Sequence, residues 1–309
     1  MEFRTQVDIP KPGFLIEPRE ELLFVGSCFA DSIGQRFVDN QFRAVVNPYG
    51  TMYNPASVLH TVERWLPLRL EGGGGRLPRI VFLTLGTNHV YRLKETGEIV
   101  DNCQKRPAAL FQEEELTVDE CADYLLRIVD LLRSHRPDVQ VVFTVSPIRY
   151  RKYGYHESQL SKATLLLAVD HVISTFNVQR STFNVQCSTF NVQRSTFNVQ
   201  RSTFNVQCST FNVTYFPAYE IVLDELRDYR FYKDDMLHPS AQAVEYIWQQ
   251  LVEHYFSPAA KEFLREWAPL KAVLNHRPFD PDSEAYRDLM DKTMLKVAEL
   301  QKKYPTFAP

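Results

Sequence analysis

The stretch Leu22–Ala30 reads Leu-Leu-Phe-Val-Gly-Ser-Cys-Phe-Ala, and the interpretation of the chain starts from it. Its first four residues are a short apolar run that is typical of a buried strand, and Gly26 allows a sharp turn. The spacing after the turn predicts a helix over Asp31–Val38. The stretch therefore predicts a strand, a tight turn and a helix, the unit from which parallel α/β sheets are built.

Ser27 lies on this turn, at the carboxyl end of the predicted strand. Open α/β sheets bind ligands at that edge, where the unpaired N–H groups of the following helix also lie. We therefore take Ser27 as the candidate nucleophile. The alternative is that Ser27 only caps the helix, because serine is a preferred N-cap residue.

The composition excludes several functional classes. A net charge of −3 over 309 residues gives no basic surface for nucleic acid. The start of the chain has no apolar core of a signal peptide, and no run of 18 apolar residues occurs, so we expect a cytoplasmic protein that does not bind membranes. Five scattered cysteines without a Cys-x-x-Cys pair argue against disulfides and zinc, and we expect no metal or cofactor.

Strand-type and helix-type runs alternate along the chain. Strands are predicted at 42–46, 80–85, 139–145 and 213–216, a hairpin at 90–100, and helices at 55–65, 117–134, 158–173, 218–226 and 241–255. Four glycines at 72–75 predict a flexible surface link, and 101–105 a polar loop. This alternation predicts one domain over 1–309 with an α/β fold and a mostly parallel sheet. We expect residues 256–309 to form a helical C-terminal extension that packs on this domain.

A seven-residue tandem repeat interrupts this pattern. The unit Ser-Thr-Phe-Asn-Val-Gln-Arg/Cys occurs five times from Ser174 to Cys208, and a sixth copy ends at Val213. Removing 35 residues leaves a natural passage from helix to strand, so we interpret 174–213 as an insertion into a finished fold. An odd period flips the face of a strand at each copy, and the unit is a poor helix former. We expect an irregular excursion; the alternative is a small stacked solenoid with a binding surface.

Acyl transfer at a serine needs a base, an acid that orients the base, and N–H donors that face the oxyanion. Asp235 and His238 lie three residues apart before a predicted helix, so the carboxylate can hold Nδ1–H while Nε2 points outward. Ser27, Gly50 and Asn88 each follow a separate predicted strand. The candidate oxyanion donors are the backbone N–H groups of Ser27 and Gly50 and the side-chain amide of Asn88.

The motifs resemble those of the GSCFA domain family, which is grouped with the SGNH (GDSL-like) hydrolases. The resemblance lies in Gly26–Ala30, Asn47–Gly50, Tyr53–Pro55, Leu85–Thr87, Asn102–Lys105, Thr144–Pro147, Ser161–Ala163 and Asp235–Pro239. It implies a three-layer α/β/α sandwich with a flavodoxin-like sheet and a serine esterase site. It also implies Ser27 as nucleophile, Gly50 and Asn88 as oxyanion donors, and Asp235 with His238 as the remaining pair.

The chain departs from the family pattern in two places. The segment Arg64–Arg79, with its four glycines, replaces a longer family segment, which puts one wall of the substrate pocket in doubt. The repeat is the second departure.

Further side chains are alternatives or additions to this site. Cys28 and Cys103 are rival nucleophiles that could pair with His238, although the position on the turn favours Ser27 and packing under the helix explains Cys28. Ser161 and Lys162 resemble a Ser/Lys dyad, but adjacent residues on a helix diverge in direction. His89 is a tentative substrate contact.

These observations predict a serine esterase that cleaves a small acyl ester, with a carbohydrate ester as one substrate class, through an acyl-Ser27 intermediate. A non-catalytic binding module on the same fold and an acyltransferase are the alternatives. The sequence leaves the oligomeric state open.

Overall fold

A computed structural model of the protein describes residues 4–71, 77–101, 103, 106–196 and 211–304, with side chains omitted at 71 and 177–196. The predicted link at 72–75, three residues of the predicted loop at 101–105 and residues 197–210 of the repeat lie outside this description. The strands are β1 (Glu21–Gly26), β2 (Arg43–Val46), β3 (Ile80–Leu85), β4 (His89–Leu93), β5 (Ile99–Val100), β6 (Phe111–Glu115), β7 (Gln140–Val145) and β8 (Asn212–Tyr215). The helices are α1 (Cys28–Asp39), α2 (Pro55–Glu71), α3 (Val118–His135), α4 (Tyr155–Thr196), α5 (Ala218–Glu220), α6 (Ala241–Tyr255), α7 (Pro258–Leu274) and α8 (Glu284–Lys303).

Five strands form a parallel sheet in the order β2-β1-β3-β7-β8. The direction in which successive strands are added to the sheet reverses at β1. The chain first adds β2 on one side of β1 and then crosses to add β3 on the other side. In a doubly wound sheet the crevice between such strands, at their carboxyl ends, is where ligands bind. The predicted mostly parallel sheet is confirmed, and it places the ends of β1 and β3 at this crevice.

Helices cover both faces of the sheet, as the three-layer prediction requires. Alternate residues of β1 enter different cores, with Leu23 and Val25 packed against α2, α3 and α4 and Leu22 and Phe24 packed against α1, α6 and α7. Because both faces are buried, the strands are continuous apolar runs and not alternating ones. The α/β/α sandwich is therefore confirmed.

Local signals set the helix starts. Asn54 accepts the N–H of Ser57 at the start of α2 (2.9 Å), and Thr117 caps α3 in a capping box with Glu120. Both helices begin within one residue of the predicted starts at 55 and 117. The predicted hairpin is β4 with β5, to which β6, a strand that was not predicted, adds on the other side of β4 in an antiparallel sheet.

The predicted C-terminal extension is helical and packs on the domain. Phe263 and Trp267 of α7 and Val297 and Leu300 of α8 are buried in the same core as α1. The N-terminal segment is attached beside it, since Ile16 N–H donates to the Tyr255 carbonyl (2.7 Å). The described part of this extension, residues 256–304, thus packs in the same layer as α1.

Helix α4 differs from expectation, because it continues to Thr196 and carries the first units of the repeat on a helical backbone. Extending a helix that is already anchored costs less than nucleating one, so poor helix formers can still propagate it. The first and last copies meet at the sheet: Phe176 and Phe211 are both buried, with ring centroids 5.4 Å apart. This contact lies beside the start of β8, at the amino edge of the sheet and away from the crevice.

We predict that deleting residues 177–211, which joins Phe176 to Asn212 and keeps one copy of the unit, preserves the fold. Phe176 contacts Phe211, the residue that precedes Asn212, so the chain passes close to itself here, and a shorter connection lowers the entropic cost of closure by a few kcal/mol at most. Thermal unfolding followed by circular dichroism should stay cooperative, with a midpoint no lower than that of the full chain. A deletion variant that is insoluble or unfolds without cooperativity would contradict the interpretation of 174–213 as an insertion.

Candidate active site

The passage from β1 to α1 forms the centre of the site. Gly26 has φ of +148°, and a Cβ at this position would lie 2.1 Å from the Thr84 carbonyl oxygen of neighbouring β3. Only glycine fits, so the chain turns sharply against β3 and begins α1 at Cys28. Asn47 holds the turn, because its side chain accepts the Gly26 N–H (2.8 Å) and donates to Asp31 (2.6 Å).

Ser27 is the N-cap of α1. Its Oγ accepts the N–H of Phe29 (3.2 Å), its own N–H donates to the Thr84 carbonyl (3.1 Å), and only 1% of the residue is exposed. Ser27 therefore caps helix α1, which is the alternative role that the sequence analysis gave it. The cap directs this side chain to its own helix, and the role of Ser27 as the nucleophile stays a prediction.

Cys28, the next residue, is the side chain that meets His238. Its Sγ lies 3.4 Å from His238 Nε2, within hydrogen-bonding distance for sulfur, and the residue is half-buried. Cys28 is the first residue of α1, where the positive end of the helix dipole favours a thiolate. The rival nucleophile of the sequence analysis thus occupies the position predicted for Ser27.

Asp235 and His238 form the predicted pair. Asp235 Oδ2 accepts from His238 Nδ1 (2.6 Å), and Oδ1 accepts the backbone N–H groups of Leu237 (2.8 Å) and His238 (2.9 Å). These hydrogen bonds lower the pKa of the Asp235 carboxyl to about 2. The carboxylate therefore stays ionised under assay conditions and fixes the tautomer with a proton on Nδ1, which leaves Nε2 free to accept one from Cys28.

The Cys28 thiol needs a base such as His238 to lose its proton, because the groups around it favour the neutral form on balance. Burial raises the pKa of the Cys28 thiol and Asp31 adds to the effect, whereas its own backbone N–H, Lys233 and Lys162 act in the opposite direction. Burial dominates, so the thiol keeps its proton until an acceptor removes it. His238 Nε2 is in position to do so.

A cavity of about 300 Å³ opens beside the thiol. The residues that line it include Cys28, Ser32, Ile148, Lys233 and His238. Ser32, Ile148 and Lys233 were not predicted. Ser32 is one helical turn after Cys28, and Lys233 lies five residues before His238. This spacing from Cys28 and His238 was the only feature of the sequence that could have indicated that they line the cavity.

The predicted oxyanion donors are engaged elsewhere. The Gly50 N–H donates to the Asn47 carbonyl (2.8 Å), and the Asn88 side-chain amide donates to the Leu116 carbonyl (2.8 Å). The Ser27 N–H likewise donates to the Thr84 carbonyl, so all three groups form hydrogen bonds within the protein in this structure. Gly50 and Asn88 do not line the cavity, and their role toward an oxyanion stays a prediction.

His89 also lies away from the cavity. Its ring stacks on Tyr153 at 3.9 Å between centroids, the residue is buried, and burial lowers its pKa. Its part in substrate binding stays a prediction. Within the described ranges, no group of three or more His, Cys, Asp or Glu side chains is arranged to hold a metal ion.

No helix in the described part of the chain is long and apolar enough to cross a membrane.

Comparison with solved structures gives distant likenesses. A carbohydrate esterase family 3 protein from Talaromyces cellulolyticus is 11% identical, with a TM-score of 0.39 and coverage of 80% of this chain and 99% of that one. A protein from Parabacteroides merdae described as a GDSL-like lipase is 10% identical, with a TM-score of 0.45 and the same coverage. No curated protein matches the chain.

Family models match most of the sequence. The GSCFA family model covers residues 21–69, 77–183 and 193–251, and the model of the GSCFA domain protein C-terminal domain covers 267–308. The first model omits 70–76, which include the four glycines, and 184–192, which lie inside the repeat. Because the matched segments span more than half of the chain and include Cys28, Asp235 and His238, the protein belongs to the GSCFA family.

Proposed function

We propose that this protein is a hydrolase that cleaves small acyl esters through an acyl-Cys28 intermediate. His238 is the general base, and Asp235 orients its imidazole. The observation that carries the proposal is the 3.4 Å approach of Cys28 Sγ to His238 Nε2, with Asp235 2.6 Å behind the ring. A nucleophile, a base and an orienting acid in contact are the arrangement that acyl transfer needs.

The first half of the reaction acylates the enzyme. His238 Nε2 accepts the thiol proton while the sulfur attacks the ester carbonyl, and Asp235 stabilises the imidazolium that forms. The tetrahedral adduct then breaks its bond to the alcohol oxygen, which takes the proton back from Nε2. The alcohol leaves and the acyl group remains on Cys28 as a thioester.

The second half releases the acyl group. Nε2 accepts a proton from a water whose oxygen attacks the thioester carbonyl, and the sulfur leaves and recovers that proton, so that the carboxylic acid and the free thiol result. A cavity of about 300 Å³ is at the lower end of the range for ligand sites, which favours a small acyl group. A carbohydrate as the alcohol part stays a prediction.

We predict that Cys28→Ala reduces hydrolysis of p-nitrophenyl acetate to the level of buffer, because the reacting atom is removed. The matched variant Ser27→Ala should keep most of its activity and lose about 1 kcal/mol of unfolding free energy, since it removes only the N-cap. Steady-state kinetics and chemical denaturation of both variants measure the two effects. The reverse result, inactive Ser27→Ala beside active Cys28→Ala, would return the nucleophile to Ser27.

Labelling separates the proposed hydrolase from the two alternatives. Iodoacetamide should alkylate Cys28 before Cys121, which is fully buried and whose pKa burial raises to about 12. A chain in which Cys28 neither reacts nor supports hydrolysis is a binding module. Faster product formation with an added alcohol, at the expense of acid, identifies an acyltransferase.

We predict that Asp235→Asn lowers kcat on the order of 10²–10⁴-fold with little change in melting temperature, because an amide favours the tautomer with the proton on Nε2. The loss should persist from pH 5 to pH 9, since the Asp235 pKa of about 2 keeps the native carboxylate ionised throughout. Asp234→Asn, at the exposed neighbouring carboxylate, is the control and should act like the wild type. Equal activity of the two variants would remove Asp235 from the mechanism.

A further inference from the structure

Met236 lies between Asp235 and His238, and its backbone has a conformation that residues other than glycine rarely adopt. Its φ is +58°, in the left-handed region, although the residue is an exposed methionine. Such a conformation persists where surrounding contacts hold it, and it recurs at functional sites. The contacts that hold the loop 231–240 therefore bear on the position of the imidazole.

Hydrogen bonds inside this loop set its own shape. The Ser240 N–H donates to the Phe231 carbonyl (2.7 Å), and the Lys233 N–H donates to the His238 carbonyl (2.8 Å). The Asp235 carboxylate accepts two further N–H groups of the loop. These bonds join one part of the loop to another, so the position of the loop relative to the sheet depends on other contacts.

Arg149, four residues after the end of β7, attaches the loop to the sheet. Its backbone N–H donates to the Leu237 carbonyl (3.1 Å), and its guanidinium group donates to the Met236 carbonyl (3.2 Å). One residue thus binds the two consecutive carbonyls that precede His238. The preceding residue, Ile148, lines the cavity beside the thiol, so this attachment lies next to the reacting groups.

Two tyrosine rings hold the guanidinium group of Arg149 in place. Its central carbon lies 4.2 Å from the ring centroid of Tyr155, the first residue of α4, and 5.3 Å from the ring centroid of Tyr232 in the loop. A planar guanidinium group suits such contacts with aromatic rings better than an ammonium group does. Arg149 therefore joins the end of β7, the start of α4 and the loop at one point.

We propose that Arg149 is a positioning residue that holds the loop 231–240 in its left-handed conformation at Met236 and so keeps His238 Nε2 within reach of the Cys28 thiol. The inference rests on His238 being the general base of the proposed function. Arg149 acts through the loop backbone, because it binds the carbonyls that precede the imidazole. A displacement of about 1 Å can cost about 10²-fold in rate, so a small movement of the loop should lower kcat.

The first test compares kcat for p-nitrophenyl acetate. Arg149→Met removes the guanidinium donor and keeps an unbranched apolar side chain, and kcat should fall about tenfold with little change in KM, because the base moves while the cavity stays. Arg149→Lys keeps a donor without the planar fork and should recover part of the loss. Arg151→Met, at an exposed arginine two residues further on, is the control and should match the wild type.

A second substitution separates positioning from general stability. Glycine adopts the left-handed region without steric cost, so Met236→Gly should make the loop less dependent on Arg149. The double variant Arg149→Met/Met236→Gly should therefore be several-fold more active than Arg149→Met, a non-additive effect of two coupled residues. All variants are assayed well below their melting temperatures, so that a change in global stability does not alter the result. A double variant no more active than Arg149→Met would overturn the inference.

Hydrogen exchange followed by mass spectrometry tests the inference without catalysis. The N–H groups of Leu237 and His238 are bonded inside the loop. They should exchange about tenfold faster in Arg149→Met and return toward the wild-type rate in the double variant. Equal exchange in the wild type and Arg149→Met, or an unchanged kcat in the folded variant, would overturn the inference and leave the proposed function intact. A wild type that hydrolyses no ester, with this exchange pattern present, would instead overturn the proposed function.

Discussion

The approach of the Gly26 backbone to the Thr84 carbonyl is the constraint on which the site depends. A Cβ would lie 2.1 Å from that oxygen, so the chain can turn against β3 only at a glycine. The turn sets the start of α1, and the start of α1 sends the Ser27 side chain to the helix N–H groups and the Cys28 side chain to the crevice.

The site joins two parts of the chain that lie far apart in the sequence. The start of α1 contributes Cys28, and the loop before α6 contributes Asp235 and His238. Opposing electrostatic effects meet at the sulfur: burial favours the neutral thiol, and the helix terminus and lysines favour the thiolate. In the proposed mechanism the imidazole decides between them, since it accepts the proton when the substrate is bound.

The two described ends of the repeat and the site lie at opposite edges of the sheet. In a parallel α/β sheet the connection from a helix to the next strand lies at the amino edge, and the connection from a strand to the next helix lies at the carboxyl edge. Ser161 and Lys162, near the start of α4, contact the loop after β3, whereas Phe176 and Phe211 meet beside the start of β8. Because of this separation, we expect a repeat inserted between α4 and β8 to leave the site unchanged.

The sequence by itself determined the architecture. Continuous apolar strands such as 80–85 and the caps Asn54 and Thr117 are local features, and α2, α3 and β3 follow from them because burial and capping act over a few residues. The pairing of Asp235 with His238 is local in the same sense, since a three-residue spacing in one turn brings the two side chains together.

Only the tertiary structure decided which side chain faces that imidazole. The predicted helix began at Asp31, three residues after the observed start of α1, and in that register both Ser27 and Cys28 belonged to a loop. Strand β6 and the burial of Lys162 were also beyond sequence reasoning, because they depend on neighbours many residues away. The direction of a side chain at a helix start depends on the exact cap, and here the contact between Gly26 and β3 sets that cap.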